Sequence, residues 1–210
     1  MADITVKVLE PAVSYDLLTL DELKTILGIS TTDTSEDALL EMWIDQYSDV
    51  IATMCNRVFA REKVQETWRG DLPPQDCARV FLTHYPVVDA DIESVTCNGA
   101  TITDYEIENR SGKLTLFGSW SEPIVVVYSG GYLLPDEAPA ALKTATGILV
   151  TGARSEMSRS TISGIKSISH RESRVQFFDE SGGSSSGAGA IAAAGDTVNA
   201  LLYKYMRFYV

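Results

Sequence analysis

The chain has 210 residues, long enough for one compact body with appendages and a real core that needs no disulfide staples. Apolar residues make up 45% and charged residues 22%, which excludes wholesale disorder and a collagen-like chain. The formal net charge of −12 disfavours a general nucleic-acid binder, which needs a basic face against phosphates, and an anionic membrane would repel such a body.

Residues 1–18 lack helical periodicity and read as an extended N-terminal arm. Thr19-Leu20-Asp21-Glu22 matches a capping box, in which Thr19 bonds the Glu22 amide and Glu22 reaches back. A short helix is expected to Leu27, with Gly28 as its left-handed stop. The polar turn from Ser30 to Ser35 leads into a longer helix over Glu36–Asn56. Leu40, Trp43, Ile44, Tyr47, Ile51 and Met54, continued by Val58, fall on one stripe at helical spacing.

The middle of the chain reads as β. Strands are expected at Val64–Trp68, Ala78–Thr83, Ile92–Cys97, Thr101–Ile107, Lys113–Phe117 and Ile124–Tyr128. Asn98-Gly99 is a hairpin turn, and Asn109-Arg110-Ser111-Gly112 is a second turn. A third helix follows Pro135 and Pro139. Its face of mostly small residues (Ala138, Ala141, Leu142, Ala145, Ile148, Leu149, Gly152) predicts close packing on the long helix. Helices on both sides of a run of strands make the fold class α+β: a helical bundle packed with a small antiparallel β-sheet or sandwich.

Beyond Arg154 the composition changes. Residues 155–180 are a polar, basic arm, 181–195 a Gly/Ser/Ala linker, and 196–210 a terminal amphipathic helix, appended to a body over 19–154. Residues 1–60 carry 11 acids and 3 bases, whereas residues 136–210 carry 7 acids and 8 bases, so the C-terminal third is a different electrostatic surface.

Nothing in the spacing picks out catalysis. Cys55, Cys77 and Cys97 form neither a C-x-x-C pair nor a disulfide framework and read as reduced thiols in a cytoplasm, with Cys55 a core residue. His84 and His170 read as ordinary surface histidines. No G-x-S-x-G elbow, calcium loop or phosphate loop occurs, and no cofactor or metal is expected. There is no signal peptide, and no apolar stretch of membrane-spanning length.

Two features ask for a partner. The terminal helix presents Val198, Leu201, Leu202, Tyr205 and Met206, and its tail adds Phe208 and Tyr209, residue types favoured at interface anchors; the alternative is that it packs back on its own domain. The arm carries Arg159, Lys166, Arg171 and Arg174, which would suit an acidic neighbour or a phosphate backbone, with a plain solvated loop as the alternative.

The order of parts resembles the head–tail connector, or adaptor, proteins of long-tailed phages. Leu18-Thr19-Leu20-Asp21-Glu22-Leu23-Lys24 is similar to the opening of that family's first helix, and Glu36-Asp37-Ala38-Leu39-Leu40 to that of its second. Cys55-Asn56-Arg57-Val58-Phe59 resembles the exit to the first strand, and Leu82-Thr83-His84-Tyr85-Pro86-Val87 a strand ending in Pro-Val. Val127-Tyr128-Ser129-Gly130-Gly131-Tyr132, followed by Pro135 and Pro139, resembles the family's Tyr-x-Gly-Gly turn into its third helix. The resemblance covers residues 17–153 and implies a structural virion protein without catalysis. It implies a homo-oligomeric ring, usually twelvefold, at the neck of a virion, made in the host cytoplasm. The C-terminal helix would dock on the portal protein, the opposite face would receive a tail-side stopper or terminator protein, and DNA would pass through the channel without sequence-specific binding. A rival reading from the residues alone is a monomeric ligand- or glycan-binding α+β module, with Trp68, Trp120 and Tyr132 near strand-end turns.

Overall fold

A computed structural model describes residues 3–70, 77–118, 121–162, 167–170, 173–176 and 195–207. The architecture is α+β. Helix α1 spans Leu20–Leu27 and starts at the expected capping box: the Glu22 amide donates to Thr19 Oγ1 at 3.2 Å, and the Thr19 amide to Glu22 Oε2 at 3.0 Å. Gly28 stops it with φ 69°. Helix α2 spans Asp37–Cys55 and ends on Asn56, also left-handed. It buries Leu40, Trp43, Ile44, Ser48, Ile51 and Cys55. The predicted stripe therefore ends on Cys55, and Met54 lies one residue off it in solvent.

Helix α3 spans Ala140–Ile162, directly after Pro139, whose carbonyl accepts from the Leu142 amide at 2.9 Å. Helix α3 packs on α2, as the small-residue face predicts, although Gly152 of that face is exposed; it also packs on α1, where Gly147, outside the predicted face, comes so close that a Cβ there would sit 3.0 Å from Ile26. Lys143 Nζ ties α3 to α1 through Glu22 Oε1 at 2.5 Å. Helix α4 covers 195–202 and runs into a 3-10 turn, Tyr203–Tyr205.

The strands form two antiparallel sheets. Strand β1 (Asp3–Glu10) lies at the edge of the larger sheet, next to β2 (Glu62–Arg69), then β8 (Ile124–Gly130), β4 (Ile92–Cys97) and β5 (Ala100–Thr101). The smaller sheet orders β3 (Cys77–Phe81), β7 (Lys113–Phe117) and β6 (Tyr105–Glu108). A separate hairpin pairs β9 (Ser167–His170) with β10 (Ser173–Gln176). The extended N-terminal arm is thus a paired strand, with Ile4 opposite Trp68 and Val8 opposite Val64. The predicted strand Thr101–Ile107 is two strands. Its start closes the Asn98-Gly99 hairpin on β4, while Tyr105–Glu108 pairs with β7 in the other sheet. Changing sheets at a corner lets both inner faces close on one core. That core joins Val64, Val126 and Tyr128 of one sheet to Val80, Leu114 and Leu116 of the other.

The sheets and helices meet at Gly130-Gly131. A Cβ on Gly130 would run into the His84 carbonyl, and one on Gly131, at φ 109°, into the Ala60 carbonyl. Three segments converge there. The Tyr132 amide donates to Phe59 O at 2.8 Å, the Arg61 amide to Tyr132 O at 2.8 Å, and the Gly131 amide to Pro86 O at 3.0 Å.

Candidate interaction surfaces

The C-terminal stripe is divided between the protein's own core and its surface. Val198 and Leu202 are buried in the cluster formed by Leu17, Ile51, Cys55, Phe59, Ala138, Leu142 and Ala145. Leu201, Tyr205 and Met206 pack half-buried against it, and the Tyr205 ring meets Phe59 edge-on with centroids 6.2 Å apart. The strand exit and the end of α2 also hold the chain: the Arg207 amide donates to Cys55 O at 2.9 Å. The physical reason is the small-residue face of α3, which leaves a gap beside α2 that an apolar helix fills. Burial pushes the Cys55 thiol up to about 11, so it stays an inert core thiol. Tyr203 is exposed at 68%, and Lys204 lies beside it with Nζ 4.8 Å over the Tyr205 ring. Phe208 and Tyr209 lie outside the described residues.

Of the basic-arm residues, Arg159 belongs to the last turns of α3 and Arg174 to β10, opposite Ser169. Lys166 and Arg171 lie outside the described residues. The backbone thus places Arg174 on a hairpin that follows the end of α3.

His84 is not a surface histidine. It is 4% exposed, inside a polar network that the sequence reading missed. Strand β2 puts Glu62 and Glu66 in phase with Val64 and Trp68, and all four are buried. Two carboxylates inside a sandwich require donors. His84 Nε2 lies 2.9 Å from Glu62 Oε2, and Tyr15 Oη donates to Glu62 Oε1 at 2.5 Å. The Thr83 hydroxyl and the Tyr128 phenol both donate to Glu66 Oε1, and His84 Nδ1 lies 2.8 Å from Thr83 Oγ1. Because Thr83 gives its proton to Glu66, His84 Nδ1 must be the donor to Thr83, and a proton is shared between His84 Nε2 and Glu62. This order leaves Thr83 without the proton transfer to imidazole that a nucleophile needs. The network therefore ties β2, β8, the segment after β3 and the N-terminal arm together. The Tyr15 phenol is held above its ordinary pKa by its bond to Glu62, and the Tyr128 phenol well above it by burial and then by Glu66.

Of the aromatic residues behind the rival reading, the described ones do not line a strand-end surface. Trp68 is a core residue, Tyr132 packs half-buried against the helical cluster, and Trp120 lies outside the described residues.

The outer side of α2 carries a periodic row of acids. Glu41, Asp45 and Asp49 recur every four residues, and all are exposed. Met42, Val50 and Met54 of the same helix are also exposed, at 53%, 36% and 39%. A cleft of about 530 Å³ opens next to this face, with Leu17, Phe59 and Leu134 among its lining and Asp45 and Asp49 contributing to it. Among the described residues, no cation pairs with any of the three acids.

A model of the head completion protein family matches residues 16–165. No curated protein matches the chain. Among solved structures, a chain from the "Neck of empty GTA particle computed with C6 symmetry" is 12% identical with a TM-score of 0.55. A chain from the "Neck of native GTA particle computed with C12 symmetry" is 12% identical with a TM-score of 0.51. A chain from the "Virion of native gene transfer agent (GTA) particle" is 11% identical with a TM-score of 0.54. Each alignment covers 98% of this chain and 97% of the other. At such identities the likeness is one of fold.

Proposed function

The chain belongs to the head completion protein family, and from that premise we propose that it is a structural subunit of a virion neck, an adaptor joining a capsid's portal to the tail. The family match over residues 16–165 carries this reading. The end-to-end fold likeness to neck chains supports it, and the twelvefold symmetry of one of those necks favours a dodecameric ring. The subunits pack head to tail around the ring, since a heterologous contact closes when its rotation fits. The role is scaffolding rather than catalysis. A stopper or terminator protein meets the tail side, and DNA passes through the channel without sequence-specific contacts, as suits an acidic wall that does not grip phosphates.

The C-terminal segment docks on the portal. Val198 and Leu202 anchor it on the body, while Leu201, Tyr205 and Met206 pack half-buried beside the exposed Tyr203 and Lys204. Aromatic and cationic side chains on a fixed base lose little freedom on docking.

Light scattering of the purified protein, alone and mixed with its portal, tests this. The expected outcome is a ring of roughly twelve subunits or a stoichiometric portal complex. A monomer that ignores the portal at every concentration overturns the reading.

A further inference from the structure

We propose that the free edge of β1 is one side of the ring's heterologous interface and that it receives strand β6 of a second copy by strand addition. This inference rests on the ring reading above and names the two strands that would meet.

The first observation is the state of β1. A strand at the edge of a sheet leaves the amides and carbonyls on its outer side unpaired, a template for another strand. Strand β1 is such an edge. It has eight residues and no proline, it is bonded to β2 alone, and among the described residues no other backbone hydrogen bond reaches it. Its register sets Ile4, Val6 and Val8 opposite Trp68, Glu66 and Val64, all buried, so the three share the core-facing side of the sheet. Val6 and Val8 are nonetheless exposed at 39% and 47%, and they line an open cleft of about 620 Å³. Lys7 alternates to the other side, exposed and without an ion pair among the described residues. An edge lysine ordinarily guards against strand addition. With Val6, Val8 and Leu9 left uncovered around it, Lys7 instead restricts the edge to a strand that brings carboxylates.

The second observation is that β6 supplies such a strand. It is the outer strand of the smaller sheet, bonded to β7 alone. Tyr105 and Ile107 pack against the sandwich core, while Glu106 and Glu108 alternate to the other side and are exposed, with no cation paired to either among the described residues. Both edges thus carry apolar residues toward the core and charge away from it, and the charges have opposite signs. Opposite charges facing each other across a strand pair stabilise it. The two edges also lie at opposite ends of the sandwich. Strand β6 follows β5, at one edge of the larger sheet, after only three residues, whereas β1 forms the other edge of that sheet. Opposite ends are what a head-to-tail contact requires, since a surface and its complement then repeat from copy to copy until the ring closes. The remaining edges are less open: β5 has two residues, and the Phe81 carbonyl of β3 accepts from Arg207 Nη2 at 3.4 Å.

The test is a charge exchange in the full-length protein, read as the association constant by light scattering or sedimentation at low and moderate salt. K7E should weaken self-association about tenfold, as should E106K/E108K, and the wild-type association should fall as salt rises. The triple variant, with charges exchanged between the edges, should recover most of the loss. All three residues are exposed, so thermal midpoints should stay at the wild-type value, which separates interface loss from misfolding. Amide hydrogen exchange supplies a second readout: on assembly, alternate amides of β1 and of β6 should gain protection, which a contact through side chains alone would not produce. If K7E and E106K/E108K both assemble like wild type, or the β1 amides gain no protection, the interface assignment is overturned while the ring reading stands. If only one of the two variants is impaired, or the triple variant stays as weak as the others, β1 has a different occupant and the proposal fails. A wild type that never associates, with or without portal, overturns both.

Discussion

The terminal helix and α2 both show apolar stripes at helical spacing, and the fold treats them in opposite ways. Helix α4 turns Val198 and Leu202 into a gap lined by Ala138, Leu142 and Ala145, where they are fully covered. Helix α2 covers one stripe and carries three further apolar residues, Met42, Val50 and Met54, in solvent. The difference lies in the company each stripe keeps. The buried residues of α4 bring no charge with them, so covering them costs no desolvation. The outer face of α2 carries Glu41, Asp45 and Asp49, and covering it with a body that is itself acidic would strip water from carboxylates without replacing it by donors. A periodic stripe thus announces that something apolar must be covered. The charges beside it decide whether the chain can do so itself.

The comparison breaks most directly at Leu202. Leu202→Asp puts an unpaired carboxylate into the helical core and should cost more than about 4 kcal/mol, seen as loss of the cooperative urea transition. Met54→Asp, at an exposed apolar position of α2, should stay within about 0.5 kcal/mol of wild type. Equal losses would show that both positions are covered.

His84→Ala extends the rule to polar groups. It leaves Glu62 and Glu66 buried without the imidazole and should cost about 3 kcal/mol, measured as a shift of the urea midpoint. Tyr128→Phe removes one of the donors to Glu66 and should cost about 1–2 kcal/mol. It should also change the alkaline limb of stability. The folded pKa of Tyr128 is raised, so its contribution is complete below the ordinary value near 10 and is lost as pH climbs above it. Melts between pH 9 and 11 (a range set about the tyrosine value) should fall in wild type and fall less steeply in the variant, where Tyr15 keeps its own raised pKa. The smallest effect belongs to the outer face of α2: Met42→Ser with Val50→Ser should leave the urea midpoint within about 0.5 kcal/mol of wild type.

What could be read from the sequence was local. The capping box at Thr19 and Glu22, the stop at Gly28 and the Asn98-Gly99 turn depend on residues within a few positions of each other, and all are present in the structure. The break in Thr101–Ile107 could not be read, because it depends on which of two distant strands each end pairs with. The polar network had one legible sign. Glu66 sits in phase with Val64 and Trp68, so a strand that buries those two must bury the acid as well. Nothing in the sequence pointed to His84 as its partner, since a lone histidine has no periodicity. The small-residue face of α3 was legible as a close-packing surface. That it serves α4 as well as α2 was not, because the spacing of a stripe carries no information about what will lie on it.

The Gly130-Gly131 junction has a mechanical consequence. The chain leaving α2, the segment after β3 and the turn into α3 approach there without room for a methyl group, and backbone hydrogen bonds link all three. Sheet and helices consequently share one fulcrum made of main chain, which side-chain rearrangement cannot loosen. A subunit built this way carries load as a stiff wedge. The angle between sheet and helices is therefore set at the backbone, and a side chain of any size at either glycine would push the three segments apart.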